Sequence, residues 1–345
     1  STSSILLNAP GVPGTVATSF DGYPMAQQGK AGKALAIAAW SSFAGGTLAS
    51  IYLLFLAPSL SKVSLSFRSP DYFALMILGL TAIAAFSSKG QFIKAMMMVV
   101  LGLMLASVGQ DSLSDITRFT FNTMNLTDGI SFVLVVMATF AMSEALTIIL
   151  KRNDPTAAAR QVSLTELGSI KINKEERTKM LKTIPRNSII GFLIGVLPGA
   201  GATIASFLAY GMERNLVSDE EKEKFGKGSV HGLAAPETAN NAACSGAFVP
   251  LLTLGIPGSG TTAVMLGALL GFGIQPGPRL YVTNPEIFWS VIMSMYIGMV
   301  ILLILNLPLI PYIARILAIP KNYLIPLILF FSITGIYVMS FNNFD

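Results

Sequence analysis

Long apolar runs dominate this chain, and its polar residues collect between them. Charge-free runs cover 34–61, 72–88, 95–110, 187–212, 238–278, 287–314 and 322–344, and the run 129–150 is interrupted only by Glu144. A helix that crosses a bilayer needs about 20 apolar residues, so most of these runs predict one crossing each. The run 238–278 is too long for that. As a straight helix at about 1.5 Å per residue it would reach roughly 60 Å, twice the hydrocarbon core, so it must break or fold back. The predicted elements are transmembrane helices at about 34–57, 72–88, 92–109 and 129–150, a hairpin at 187–212, a broken helix at 236–278, and transmembrane helices at about 287–314 and 322–344. The predicted fold class is an all-α integral membrane protein with discontinuous or re-entrant helices, embedded in the lipid bilayer.

Composition agrees with that pattern. Of 345 residues, 52% are hydrophobic and 12% charged, against about 25% charged in a soluble domain. Cys244 and His231 are the single Cys and His, too few for a disulfide framework or a zinc centre. The net charge of +5 is spread over loops, which argues against a nucleic-acid surface. The most basic loop, 151–186, includes Lys151, Arg152, Arg160, Lys171, Lys174, Arg177, Lys179, Lys182 and Arg186. By the positive-inside rule it is cytoplasmic. Helix 34–57 then runs outward and helix 287–314 inward, and one of the segments 187–212 and 238–278 is re-entrant.

Three Pro-Gly breaks interrupt the apolar runs. The first lies in "LLNAPGVPGTVAT" (6–18), the second in "GVLPGAGATIAS" (195–206), the third in "LTLGIPGSGTTAV" (252–264). Non-helical backbone at membrane depth is tolerated only where protein buries it or a wet cavity receives it. A broken helix frees N–H groups that suit an anion and carbonyls that suit a cation. Hydroxyls follow each break: Thr15 and Thr18, Thr203 and Ser206, and Ser259, Thr261 and Thr262. The breaks therefore predict an ion site, with a simple Pro kink as the alternative. The first and third stretches resemble each other, and each precedes a long helix and then a second one. Their expected senses are opposite, which predicts an inverted-repeat secondary transporter. On this pairing the counterpart of "LPGAG" lies about 50 residues upstream of Ser1, so the chain reads as an internal fragment. Residues 1–128 would end the first repeat (tip loop 5–25), 129–186 would hold a helix and the basic loop, and 187–345 would form the second repeat.

Three blocks carry a family resemblance: "ILLNAPGVPGTVATSFDGYPMAQQGKAGKAL", "GVLPGAGATIASFLAYGMER" and "FGKGSVHGLAAPETANNAACSGAFVPLLTLGIPGSGTTAVMLGALLGFGIQPGP". In these the chain resembles the large permease subunit of bacterial tripartite tricarboxylate transporters (TctA type). The resemblance implies a multi-pass protein of the bacterial cytoplasmic (inner) membrane. It implies a symporter for citrate-like organic carboxylates driven by a cation gradient, Na⁺ being the expected coupling ion, with no other cofactor. It also implies two partners, a small membrane subunit and a periplasmic solute-binding protein that delivers substrate. A free-standing carboxylate symporter, or a channel or exporter on the same scaffold, is the alternative.

The first tip of the family matches Asn8, Pro10, Gly11, Pro13, Gly14 and Thr15. The hairpin tip matches Pro198, Gly199, Gly201 and Thr203. The second tip matches Pro257, Gly258, Ser259, Gly260, Thr261 and Thr262. Substrate and cation are expected among these, although a Gly can instead serve close helix packing. "PETANNAA" sets Glu237, Asn240 and Asn241 on one helical face, as cation ligands or as a polar lining for the second tip. The alternative is an N-terminal cap at the membrane surface. Asp21 reads as a turn residue before Gly22, His231 as interfacial, Cys244 as a small core residue, and "MERNLVSDEEKEKFGKG" as a solvated connector. "GAGATIAS" follows no strand and lacks Gly-Lys-Ser/Thr, so no nucleotide is expected. With one His, one Cys and no paired intramembrane Asp, no enzyme constellation is expected either.

Overall fold

Apolar stretches free of breakers become long helices, and each Pro-Gly cluster becomes a break. The computed structural model describes residues 1–8, 12–64, 92–110, 116–130, 168–198 and 201–307, with scattered single positions elsewhere. The helices expected at 72–88, 129–150 and 322–344 lie outside these stretches, as do Glu144, Pro10, Gly11 and Gly199. The chain divides into two compact units, one of residues 1–68, 155–262 and 275–319, the other of residues 69–154, 263–274 and 320–345.

The first unit opens with α1 (Thr2–Leu7), which ends on Asn8 in the left-handed conformation at φ 50°. A 3₁₀ turn, Pro13–Thr15, leads into α2 (Val16–Met25). A wide helical turn, Ala26–Lys30, contains Gly29 at φ 73°, where the chain reverses into α3 (Ala31–Ser64). An L side chain rarely adopts that backbone angle, so glycine makes the reversal possible.

Helix α5 (Lys174–Val196) begins well before the apolar run of the hairpin, because Asn173 and Glu176 form a reciprocal capping box. The helix between, α4 (Phe92–Ala106), belongs to the second unit. After the Leu197–Pro198 break the chain returns as α6 (Gly201–Leu216). Residues near the base of α5 touch the end of α6: Asn187 and Thr183 both bond Glu213. The two helices are thus an antiparallel hairpin whose ends lie on one side.

A short helix, α7 (Asp219–Lys222), precedes α8 (Val230–Gly246), which starts at the side-chain cap Ser229. Helices α5 and α8 run parallel in constant register. Thr183 meets His231, Gly191 meets Ala239 and Gly195 meets Ala243, all at an offset of 48 residues. Cβ atoms added to Gly191 and Gly195 would lie 2.4 and 2.2 Å from the carbonyl oxygens of Ala239 and Ala243. This is small-residue packing that lets membrane helices approach closely. Helix α3 runs parallel to α5, with Lys33 paired to Glu176 and Tyr52 bonded to Ser188.

The long run of the sequence does break. Helix α8 gives way to α9 (Phe248–Leu254), which ends on Gly255 in the left-handed region at φ 72°, and α10 (Gly260–Gly271) follows. Then come α11 (Leu280–Thr283) and α12 (Pro285–Asn306), the latter opened by Pro285 with Glu286 in its first turn. Gly46 of α3 packs against Met299 of α12, while Ala39 and Asn306 share one cavity, so these helices are antiparallel.

In the second unit α4 is followed by a two-residue antiparallel ladder pairing Gly109 with Arg118 and Gln110 with Thr117. Among the described residues two stretches have the length and hydropathy expected of a bilayer crossing, Val16–Leu60, which holds α2, the turn at Gly29 and α3, and Pro285–Asn306; two apolar helices, Phe92–Ala106 and Gly260–Gly271, are shorter. The first and third breaks share a local form: a short helix, a left-handed residue (Asn8 or Gly255), then X-Pro-Gly. A repeat of whole halves would also need helices 72–88 and 322–344, outside the described residues.

Candidate functional site

The first tip is pinned by its own hydroxyls. Thr15 Oγ1 donates to the Val12 carbonyl at 2.9 Å and accepts from Ser4 Oγ at 2.9 Å. Helix α8 completes the tip from the other side. Asn240 Nδ2 donates to the Gly14 carbonyl at 3.0 Å, and a Cβ on Gly14 would lie 2.8 Å from that nitrogen and 3.6 Å from Ala202. Gly14 thus lets the first tip, the start of α6 beside the hairpin tip, and α8 meet at one point.

Below this point sits Glu237, 1% exposed. Thr18 Oγ1 donates to its Oε1 at 2.6 Å and Ser42 Oγ to its Oε2 at 2.9 Å. Among the described residues no Lys, Arg or His is within ion-pair distance of it; the pairs seen involve Glu175, Glu176, Glu213, Glu220 and Glu221. Burying a carboxylate is costly unless it is paired or well hydrogen-bonded, and here two neutral hydroxyls carry that role.

Glu237, Asn240, Asn241, Thr15 and Ser42 line one side of a cavity of about 270 Å³, faced by Phe43, Leu302, Leu303 and Asn306. At about 30 Å³ per water, that is room for roughly nine waters or a small organic ion. Asn241 Nδ2 donates to the Glu237 carbonyl at 3.1 Å. The cavity is therefore rich in oxygen atoms, and among the described residues no Lys, Arg or His side chain lines it.

The structure corrects several readings of the sequence. Glu237 is no helix cap: α8 starts at Val230, and Glu237 lies two turns inside it. Its face lines the first tip, through Gly14, Thr15 and Thr18, rather than the second. Asp21 is no turn residue but a buried position within α2. Its Oδ1 accepts the N–H groups of Gly226, Gly228 and Ser229 at 2.9, 2.9 and 2.7 Å, and Tyr210 donates to Oδ2 at 3.0 Å. Cys244 is exposed rather than in the core.

The remaining predicted residues are placed as follows. Pro198 forms the turn of the hairpin, Gly201 opens α6 at φ 62°, and Thr203 is half-buried on its first turn. Pro13 belongs to the 3₁₀ turn. At the second tip Ser259 and Thr262 cap each other: Ser259 N–H donates to Thr262 Oγ1 at 2.9 Å, and Thr262 N–H to Ser259 Oγ at 3.3 Å. Pro257 and Gly260 are half-buried, Thr261 is exposed, and Gly258 packs on Ala247. Among the described contacts none joins 257–262 to the Glu237 cavity.

A second polar cluster closes the base of the hairpin, outside the apolar run 187–212. Glu213 is fully buried and accepts from Nε and Nη2 of Arg186, from Asn187 at 2.8 Å and from Thr183 at 2.9 Å. His231 Nδ1 lies 3.1 Å from Glu213 Oε1 and 2.7 Å from Thr183 Oγ1. Burial pushes the Glu213 carboxyl up, but the hydrogen bonds from His231, Arg186, Asn187 and Thr183 outweigh it and hold it at about 2. His231 is thus buried in an ionic cluster, and Glu213 is not part of a solvated connector.

The family model described as "Tripartite tricarboxylate transporter TctA family" matches residues 1–345. An uncharacterized 52.8 kDa protein in the TAR-I ttuC' 3' region of Agrobacterium vitis is 42% identical over 345 residues, which is 100% of this chain and 67% of that protein. An uncharacterized protein in the TAR-II ttuC' 3' region of the same organism is 46% identical over 155 residues, 45% of this chain and 63% of that protein. These matches span about two thirds of each relative's length. No solved structure matches this chain.

Proposed function

Because the chain belongs to the tripartite tricarboxylate transporter TctA family, we propose that it forms the core of the large membrane subunit of a cation-coupled symporter for tricarboxylates or related organic carboxylates. In this reading a periplasmic solute-binding protein delivers the substrate, a small membrane subunit accompanies the chain, and the assembly sits in the cytoplasmic membrane. Na⁺ is the proposed coupling ion, and the inverted repeat is the proposed architecture.

One observation carries the reading. Two breaks separated by nearly 190 residues of chain meet on the Asn240 face of α8, beside a cavity rich in neutral oxygen donors and acceptors. Broken helices that end at an internal cavity suit ions on their way through a bilayer. The antiparallel course of α3 and α12 agrees with the opposite senses that the charge rule requires of them.

Uptake of labelled citrate and other carboxylates by vesicles holding the protein, with and without a solute-binding protein and with Na⁺ or K⁺ outside, tests the proposal. The expected outcome is Na⁺-dependent uptake only with the binding protein. Uptake without it would mean a free-standing symporter, and no uptake of any carboxylate would remove the function.

A further inference from the structure

We propose that Glu237 is the ligand of the coupling cation, and that the cavity admits an anionic substrate only once a small monovalent metal cation sits against that carboxylate. This inference rests on the symporter reading above and adds to it a site, an ion class and an order of binding.

The argument starts from charge. Each oxygen of Glu237 bonds one hydroxyl, of Thr18 or of Ser42, an arrangement that can hold a carboxylate charge without a basic partner. It is 1% exposed, and among the described residues no basic side chain lines its cavity. A substrate carboxylate entering that cavity would meet an uncompensated negative charge. At about 5 Å and an effective dielectric near 20, two like charges repel enough to weaken binding by roughly a hundredfold or more. A cation bound first removes that repulsion and supplies a positive charge for the anion to meet.

The donor set fits the ion. Asn240 and Asn241 line the cavity and commit their Nδ2 groups to the carbonyls of Gly14 and Glu237, which leaves their Oδ1 atoms as acceptors; that of Asn240 lies 4.0 Å from Cys244 Sγ. With the carboxylate and the hydroxyls of Thr18 and Ser42, the surroundings offer only oxygen, the preference of hard cations. One carboxylate balances a monovalent ion, whereas a divalent ion would leave a buried positive charge. The site also explains coupling, because the cation's ligands come from three elements, α2, α3 and α8, that meet at the same cavity. An ordered sequence of this kind is a coupling free energy between two adjacent sites, and it is reciprocal.

The test uses the purified protein. Binding of labelled Na⁺, and of citrate in NaCl or choline chloride, is measured for the wild type, Glu237→Gln and Ser42→Ala, each checked for a monodisperse, folded state. The wild type should bind Na⁺, and Na⁺ should tighten citrate binding by at least about tenfold. Glu237→Gln should lose Na⁺ binding yet bind citrate equally in both salts, since the neutral amide removes the repulsion. Ser42→Ala should keep the order but need about three- to tenfold more Na⁺. Na⁺-stimulated citrate binding by Glu237→Gln at the wild-type level would overturn the proposal. So would citrate binding to the wild type that ignores Na⁺ and strengthens as pH falls, which would make the proton the ion. A wild type that binds Na⁺ at Glu237 but no carboxylate would keep the cation site and remove the transport reading and the order of binding. If Glu237→Gln misfolds, Na⁺ binding by Ser42→Ala unchanged from the wild type decides against the site.

Discussion

The glycines at 191 and 195 are contacts rather than gaps. Each faces a backbone carbonyl of α8 at a distance no Cβ tolerates, so Ala at either position must push two helices apart. The expected cost is about 1–3 kcal/mol for each substitution, read as a lower melting temperature of the full-length protein in detergent. Gly211 is the internal control, since a Cβ there would meet nothing within 4 Å. Gly211→Ala should leave stability unchanged or raise it by up to about 1 kcal/mol. The spacing of small residues is visible in the sequence, but which Gly faces a helix and which faces open space is not, because that depends on a partner 48 residues away. The same holds for the cavity. Glu237, Asn240 and Asn241 share a face by spacing alone, whereas Ser42 comes to Glu237 from 195 residues away and nothing local to α3 announces it.

At the scale of elements, the hairpin is held at its two ends by different physics. Its tip is a break dictated by Pro198, readable from the sequence. Its base is the Glu213 cluster, hidden because Glu213 follows the apolar run and reads as the start of a solvated connector. The cluster makes stability depend on acid. The Glu213 carboxyl is held at about 2 in the folded protein against an ordinary 4.5, so its contribution is present above 4.5 and is lost as pH falls toward 2. Melting temperature against pH should fall through that window for the wild type. Glu213→Gln should be less stable at neutral pH by about 3 kcal/mol, because it strands Arg186 beside a neutral group, and its acid slope should be flatter. Equal slopes for both proteins would assign the acid response elsewhere. The start of α5 shows the opposite kind of hidden boundary: the charged stretch before the apolar run looks like loop, yet the Asn173–Glu176 box starts the helix there.

At the scale of the whole molecule, the charge pattern makes a claim about sides. The ion pairs Lys33–Glu176, Lys179–Glu221 and Lys224–Glu221 gather at the ends of α3, α5 and α7, which the positive-inside rule assigns to the cytoplasm. With Cys244, the single cysteine, replaced by Ser, a membrane-impermeant maleimide should reach Thr117→Cys from the periplasmic side. It should reach Lys171→Cys only after permeabilisation. The reverse labelling would invert the orientation and, with it, the direction of the proposed uptake.

Asp21 has a consequence in time rather than in space. Its carboxylate is satisfied by the backbone of Gly226, Gly228 and Ser229, up to 208 residues further along the chain. At about 5–20 residues per second, the ribosome delivers those partners roughly ten to forty seconds after Asp21 has emerged. Until then α2 carries a charge that it has no means of burying, so it must wait at the water interface. Helix α2 is thus early in sequence and late in assembly: its Asp21 is covered only when the loop ahead of α8 arrives to receive it.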